Sequence, residues 1–377
     1  MFRPDRREQP PMKVLFLTIG PHTAPSPRFR VHQYLPYLLR NGMEYEIRPL
    51  LRPEQEQRWR RARGKWSRLI VLLCVLGNRV RDIKRARCFD VVFVQRGLTL
   101  FNCRGLDRLL FAQGRPVVFD FDDPVHLRPD QGFRNTLLRA LQDAGQVRGI
   151  IAKSRSVIAG NAYLAEFARQ HNANATIIPT AIDTDTHQTK SETTNDQRLT
   201  STAPVVVWTG STSTNRYANL LAPVLRRAVK RVPLRLLIIS NTRSNIHDVA
   251  FDGVPLEFRH WRLETEVADL QAGDIGVMPL PDDEWARGKC GVKALLCMAC
   301  GLPVVVSPVG VNTEIVTDGV NGFLAGPEEE WVDKLCRLAS DEDLRRRLGR
   351  TARETVEERY SVRVNAPKFL GVLENST

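Results

Sequence analysis

The sequence predicts an α/β protein built from two consecutive doubly wound parallel-sheet halves. Short, continuous apolar runs alternate with helix-length stretches, which is the pattern of strands joined by crossover helices. The alternation stops at a polar run, Thr184–Pro204, and then restarts. At about 100–200 residues per domain, the 377 residues suit two domains, and 42% hydrophobic with 26% charged residues describes a globular chain, neither disordered nor fibrous.

Residues 1–12 form a polar, proline-rich extension without the pattern of a signal peptide. The N-terminal half spans 13–183. Its first run, Met12–Thr18, is followed by Gly20-Pro21, as expected of a buried parallel strand that ends in a loop. Similar runs lie at Tyr45–Leu50, Val91–Gln95 and Pro116–Asp120, with room between them for helices such as Val31–Asn41, and Ala175–Pro179 closes the half. Residues 184–204 hold almost nothing to bury and are expected to be a linker or an exposed excursion. The second half, 205–377, repeats the pattern with strands at Val205–Thr209, Leu234–Ser240, Ile275–Pro279 and Pro303–Ser307. Helices are predicted at Leu220–Arg231 and Val292–Cys300, and Glu328–Tyr360 is charged and helical in period, with Trp331, Leu335 and Leu338 on one face. In such sheets ligands lie beyond the carboxyl ends of the strands. The functional side chains are therefore expected in the loops after strands, facing a cleft between the halves.

Charge is distributed unevenly. Of the 55 Lys+Arg and 42 Asp+Glu, residues 1–104 hold 22 and 8, which leaves 33 against 34 for the rest. Arg58–Arg87 contains 11 basic residues and one acid, Asp82, around the apolar run Leu69–Leu76. That run is shorter than the roughly 20 apolar residues that span a bilayer. Segment 58–87 suits either an anionic membrane surface or a core helix with solvated basic ends, and the sequence leaves both open. No nucleic-acid-binding motif accompanies the charge, so nucleic acid is not an expected partner. The seven cysteines (Cys74, Cys88, Cys103, Cys290, Cys297, Cys300 and Cys336) have no framework spacing, which points to a reduced, cytoplasmic protein. Cys297 and Cys300 have C-x-x-C spacing, but nothing completes a zinc site, and buried thiols are expected there.

Five strand-end loops carry candidate chemistry. In Gly20–Arg30, a Gly-bearing turn before a helix offers backbone amides, and Ser26, Arg28 and Arg30 beside it would suit an anionic ligand. Arg96 follows the third strand. Asp120, Asp122 and Asp123 end the fourth; three carboxylates in four residues repel one another, so a cation, a substrate hydroxyl or a general-base role would account for them, and no second acidic cluster suggests a metal. Thr209–Tyr217, with Gly210, Ser211, Thr212 and Arg216, has the small residues and charge of a phosphate loop, yet it is neither a dinucleotide fingerprint nor a Walker loop. Asp282–Gly291 places Arg287 and Lys289 before the helix that begins at Val292, a second anion pocket aided by the helix dipole. Two cationic loops in one half imply a diphosphate-bearing ligand. The turns Gly301–Pro303 and Ser307–Gly310 read as architecture.

The stretch Asp274–Leu280, Gly288–Lys293, Met298–Val305 and Asn321–Leu324 resembles the donor-binding lobe of retaining GT-B glycosyltransferases of family 4. Ile178–Asp183, Trp208–Tyr217 and Ser26–Leu39 extend the resemblance over most of 13–360. It implies a GT-B architecture of two Rossmann-like lobes, with a nucleotide-diphosphate sugar held by the C-terminal lobe and an acceptor by the N-terminal one. The last helix is then expected to return to the N-terminal lobe. By position, Arg216 and either Lys289 or Lys293 would take the phosphates, and the backbone around Gly291 and Val292 would cradle the β-phosphate. The reaction would be transfer with retention, without metal or other cofactor. The acceptor would be a glycan or a lipid-linked molecule of cell-envelope synthesis, and the location cytoplasmic, peripheral to the inner membrane face if 58–87 binds it. Two positions depart from the family pattern: its paired glutamates, with seven residues between them, fall on Gly288 and Leu296, and a histidine common after the fourth strand falls on Asp122. An aspartate there could contact the sugar or act as a base. The alternatives are a catalytically silent GT-B protein that binds nucleotide or glycan, and a sugar epimerase of the same fold.

Overall fold

A computed structural model describes residues 10–52, 54, 55, 58, 61, 64–99, 104–127, 144–189 and 203–377. The chain divides into two compact units, the first running through Ile178 and including Ala366–Thr377, the second Pro179–Asn365. Both are α/β, each around one six-stranded parallel sheet.

In unit 1 the strands are β1 (Met12–Thr18), β2 (Met43–Pro49), β3 (Val91–Gln95), β4 (Val117–Phe121), β5 (Ser156–Ala159) and β6 (Ala175–Ile177), in the order β2-β1-β3-β4-β5-β6. Strands β3 and β4 are buried at every residue, which is why they read as apolar runs interrupted only by Gln95 and Asp120 near their carboxyl ends. The end of the C-terminal helix Val362–Glu374 belongs to this unit: Phe369 stacks on Tyr34 at 4.6 Å between ring centroids and leans on Phe93 at 5.2 Å.

Unit 2 contains β7 (Val205–Gly210), β8 (Arg235–Ser240), β9 (Leu256–His260), β10 (Ile275–Met278), β11 (Val304–Val306) and β12 (Gly322–Leu324), in the order β12-β11-β10-β7-β8-β9. The helix Val292–Ala299 lies directly on β10, since a Cβ on Gly276 would stand 2.5 Å from the Cys297 Cβ. Cys297 and Cys300 are buried free thiols, and burial pushes the Cys297 thiol well above its ordinary value.

Several elements differ from the sequence reading. The helix expected over Val31–Asn41 is a short turn, His32–Tyr34, followed by Leu35–Arg40, because Pro36 has no amide to continue a helix and instead opens one. Glu328–Tyr360 is broken at Asp341 into the helices Glu328–Ser340 and Glu342–Thr355, the second running on into a π-helical turn, Val356–Tyr360; the Asp341 side chain caps the second helix by accepting from the Leu344 amide at 2.8 Å. Strands β5, β9 and β12 are additional: β5 and β12 are only four and three residues long, and β9 is a partly exposed edge. Of the expected linker 184–204, residues 190–202 lie outside the described residues, as do 1–9 of the expected extension. The part before 190 is no loose excursion: Arg353 donates to the carbonyls of Thr184, His187 and Ala299, and buried His187 pairs with Glu266.

Candidate functional site

Strand order reverses between β7 and β10 in unit 2 and between β1 and β3 in unit 1. Loops diverge at such switch points, leaving crevices at the carboxyl ends of the strands.

At the unit 2 switch point, β7 carries Trp208, wholly buried, and ends at Gly210, where a Cβ would lie 2.2 Å from the Trp208 ring. The loop beyond is tied down from within. Thr214 Oγ1 accepts from the Ser211 amide at 3.0 Å, and Asn241 Oδ1 accepts from the Thr212 amide at 3.0 Å. Buried Asn215 donates to the carbonyls of Thr242 and Ser244 at 2.7 and 2.8 Å, and so joins the loops after β7 and β8. The amides of Ser211 and Thr212 are thus engaged within the loop, which fixes its shape.

What the loop presents is cationic. The Arg216 guanidinium stands 5.0 Å from the centre of the Tyr217 ring and donates to its hydroxyl at 3.2 Å. Lys289 lies 5.7 Å from the same ring and 5.7 Å from Trp285. Lys293 lies 4.5 Å from the Trp208 ring and 6.0 Å from Tyr217. Three cations, from the turn after β7 and from the loop and first turn of the helix after β10, thus surround one buried tyrosine. Each gains from an aromatic face, yet the three repel one another. Gly291, at φ +68°, turns the chain into the helix Val292–Ala299, which has no side-chain cap and brings its positive dipole end to the same place. A Cβ at Gly291 would meet Ile315 Cδ1 at 2.3 Å, so both conformation and packing demand glycine. Such an arrangement is suited to bind a multiply charged anion. Arg287 differs in being half exposed and bonded to Asp282 at 2.7 Å, which holds that carboxyl below its ordinary range.

At the unit 1 switch point, Gln95 ends β3. Its amide donates to Ser26 Oγ and accepts from the Ile19 amide at 3.2 Å. Ser26 in turn donates to Asp122 Oδ1 at 2.7 Å. Arg96, with φ +64°, places its guanidinium 2.6 Å from Asp123 and 3.6 Å from Asp122. A non-glycine residue in that region stores backbone strain, which here aims a cation at two carboxylates. Arg30 and Asp120 are 1% and 0% exposed and grip one another through three guanidinium contacts; Arg30 also donates to the Ile178 carbonyl at 2.7 Å. Burial opposes the Arg30 charge, but Asp120 outweighs it and holds the guanidinium above its ordinary value. This pair therefore belongs to the interior of unit 1, a correction to its expected place beside a ligand. Arg28 packs over Phe29 at 4.3 Å, and buried Gly20 accepts from Thr18 Oγ1 at 2.9 Å. The repulsion among Asp120, Asp122 and Asp123 is relieved by Arg30 and Arg96. Among the described residues no group of three or more His, Cys, Asp or Glu is placed to hold a metal.

The sequence reading missed Tyr217, Trp208 and Gln95. An aromatic next to the loop arginine, and a lone polar residue closing the run Val91–Val94, were the signals for two of them.

Residues 203–341 match the family described as "Glycosyl transferases group 1". N-acetyl-alpha-D-glucosaminyl L-malate synthase of Bacillus anthracis is 36% identical over 99 residues, 26% of this chain and 25% of that protein. D-inositol 3-phosphate glycosyltransferase of Saccharomonospora viridis is 34% identical over 104 residues, 27% and 23% of the two chains. The matched stretches thus span about a quarter of these relatives' length. Among solved structures, a sucrose-phosphate synthase from Thermosynechococcus elongatus superposes with a TM-score of 0.72 at 15% identity, covering 96% of this chain and 98% of the other. Anabaena HepE, solved with UDP and glucose, superposes with 0.63 at 16% identity, covering 96% and 99%. The fold is the GT-B fold of two Rossmann-like units. Within it, residues 203–341 are the part of the chain that is similar to the glycosyl transferases group 1 family.

Proposed function

We propose that this protein transfers a sugar from a nucleoside-diphosphate sugar to a glycan or lipid-linked acceptor. The observation that carries the reading is the convergence of Arg216, Lys289 and Lys293 around Tyr217, beside the helix start at Gly291. When the bond between the anomeric carbon and the diphosphate oxygen breaks, the electron pair leaves with the diphosphate. Cations already held in place stabilise that developing charge more than they stabilise the intact donor, which lowers the barrier. The acceptor oxygen then forms the new bond and loses its proton. In this reading unit 1 receives the acceptor at Ser26, Arg96 and Asp122, with Asp122 contacting the sugar or taking the proton. The diphosphate's charge is met by side chains and the helix dipole, so the chemistry calls for no resident metal. Transfer with retention follows from the family resemblance. The relatives named above, and HepE with its bound UDP, support a nucleotide donor.

Calorimetric titration with UDP, GDP, ADP and their sugars, on the parent and on Arg216→Ala, tests the donor site, and product analysis with the sugar donor that binds tests transfer. A nucleotide that binds the parent and is lost in the variant supports the reading; no binding by any of them sinks it. A second reading, binding without turnover, is favoured by Leu296, a buried leucine where the family pattern has a hydrogen-bonding glutamate. Tight nucleotide binding with neither donor hydrolysis nor transfer would select it.

A further inference from the structure

The helix Lys65–Arg85 in unit 1, 21 residues long, has two unlike faces. The inner one carries Val71 and Val75, packed with Leu50, Ile19 and Leu51, followed by Arg79 and Asp82. Arg79 is wholly buried and donates to the carbonyls of Thr18 and Arg48 at 2.8 and 3.1 Å, while Asp82 accepts from Arg52 at 3.0 Å. These contacts fix which way the helix is turned.

The outer face repeats at i, i+4, i+7 and i+11 through Trp66, Ile70, Leu73 and Gly77, then continues with Arg81 and Lys84, all exposed. Trp66, Ile70 and Leu73 are 79%, 61% and 58% exposed, on consecutive turns of one helix. Nothing in unit 1 covers them among the described residues. Among the described residues of 58–87 the exposed charge is of one sign: Arg81, Lys84, Arg85 and Arg87 are exposed, and the one acid of the segment, Asp82, is on the inner face. Glu46, near the helix end, is bonded to Arg85 and Arg48. Arg58 and Arg61 before the helix are exposed as well.

From this face we propose that the protein docks on an anionic membrane surface, Trp66, Ile70 and Leu73 entering the headgroup region while Arg58, Arg61, Arg81 and Lys84 meet lipid phosphates. A polyanion alone would match the cations and leave the apolar stripe in water; a lipid interface takes both. None of the described helices is long and apolar enough to cross a membrane, which is consistent with a segment that lies on the surface. The inference goes beyond the donor reading and is tested without it.

The test is co-sedimentation of the full chain with vesicles of phosphatidylcholine alone and with anionic phosphatidylglycerol added, at low and high salt. The parent, Trp66→Ser/Ile70→Ser/Leu73→Ser, and Arg81→Gln/Lys84→Gln are compared. Because all five side chains are exposed, the variants should keep the parent's melting temperature and nucleotide binding. The parent is expected to bind anionic vesicles in a salt-sensitive way and neutral ones weakly. The triple variant should lose at least about tenfold in partitioning, and the charge variant should lose affinity with a smaller salt dependence. Failure of the parent to bind anionic vesicles at low salt overturns the proposal, as does a triple variant that binds like the parent. A parent dimer that the triple variant abolishes, without vesicle binding, would assign the face to a second copy instead, and binding of an RNA oligonucleotide in preference to vesicles would assign it to nucleic acid.

Discussion

The Lys293 ammonium stands 4.5 Å from the centre of the Trp208 ring, so a cation at the start of one helix is anchored on the last turns of strand β7. Strand and helix start are neighbours because β7 and β10 pair side by side at the switch point. The Trp208 ring supports the cation from below, and Gly210 leaves it the room to do so.

Binding of the nucleotide should depend on this set unequally. Charge-assisted hydrogen bonds contribute about 1.5–3 kcal/mol, so Arg216→Ala is expected to weaken nucleoside-diphosphate binding about 10- to 100-fold. Lys289→Met and Lys293→Met should each weaken it less, and all three should lower transfer more than binding, since the leaving diphosphate gains charge. Titration calorimetry and initial rates check this; unchanged affinity in Arg216→Ala would remove it from the phosphate site.

Gly291→Ala should destabilise unit 2 by about 1–3 kcal/mol through its left-handed backbone alone. Ile315 must also move, given the 2.3 Å approach to the added Cβ. Gly253 is a useful control, with φ +79° and nothing within 4 Å of its Cβ position. Gly253→Ala should cost only the backbone strain and leave nucleotide affinity intact, whereas Gly291→Ala should lower both stability and affinity, by denaturation and titration respectively.

Arg30 and Asp120 are mutually dependent. Removing one leaves the other charged in the interior, at a cost of about 3–5 kcal/mol. Arg30→Met should therefore unfold at markedly lower denaturant, and Arg30→Met/Asp120→Leu should recover most of the loss. Equal destabilisation by the single and double variants would show that the pair's charge is not the cause.

The pH dependence of unit 1 should carry the signature of His126, whose ring stacks on Phe167 at 3.7 Å and is held down to about 4, chiefly by burial. An unfolded histidine titrates at about 6.5. Between these values the unfolded chain takes up a proton that the folded one refuses, so stability present above about 6.5 is lost as pH falls toward 4. Asp120, pushed by burial up to about 6, acts with the opposite sign in the same window. The readable quantity is thus a difference: His126→Phe should lose less stability than the parent between pH 7 and pH 4.5 in denaturant titrations. Parallel profiles would show that His126 is protonated equally in both states.

The periodicity of the chain by itself determined the α/β class, the two sheets and most strands, because a strand buried on both faces is apolar along most of its length, as Val91–Val94 and Val205–Trp208 are. It also located the cationic loops, since Gly291 and the residues around it mark a helix start whatever the surroundings. Short or edge strands such as Gly322–Leu324 and Leu256–His260 have too few inward residues for a period to show, and their pairing came only with the sheet. Arg28 and Arg30 look alike in sequence, and so do Asp120 and Asp122. Tertiary structure alone decided that Arg30 and Asp120, 90 residues apart, go inside together while Asp122 stays with Ser26 and Arg96. Likewise it drew Arg216, Lys289 and Lys293 to one ring. Apolar period is a local property that short-range geometry can express, whereas the burial of a charge is settled by a distant partner that offsets its desolvation.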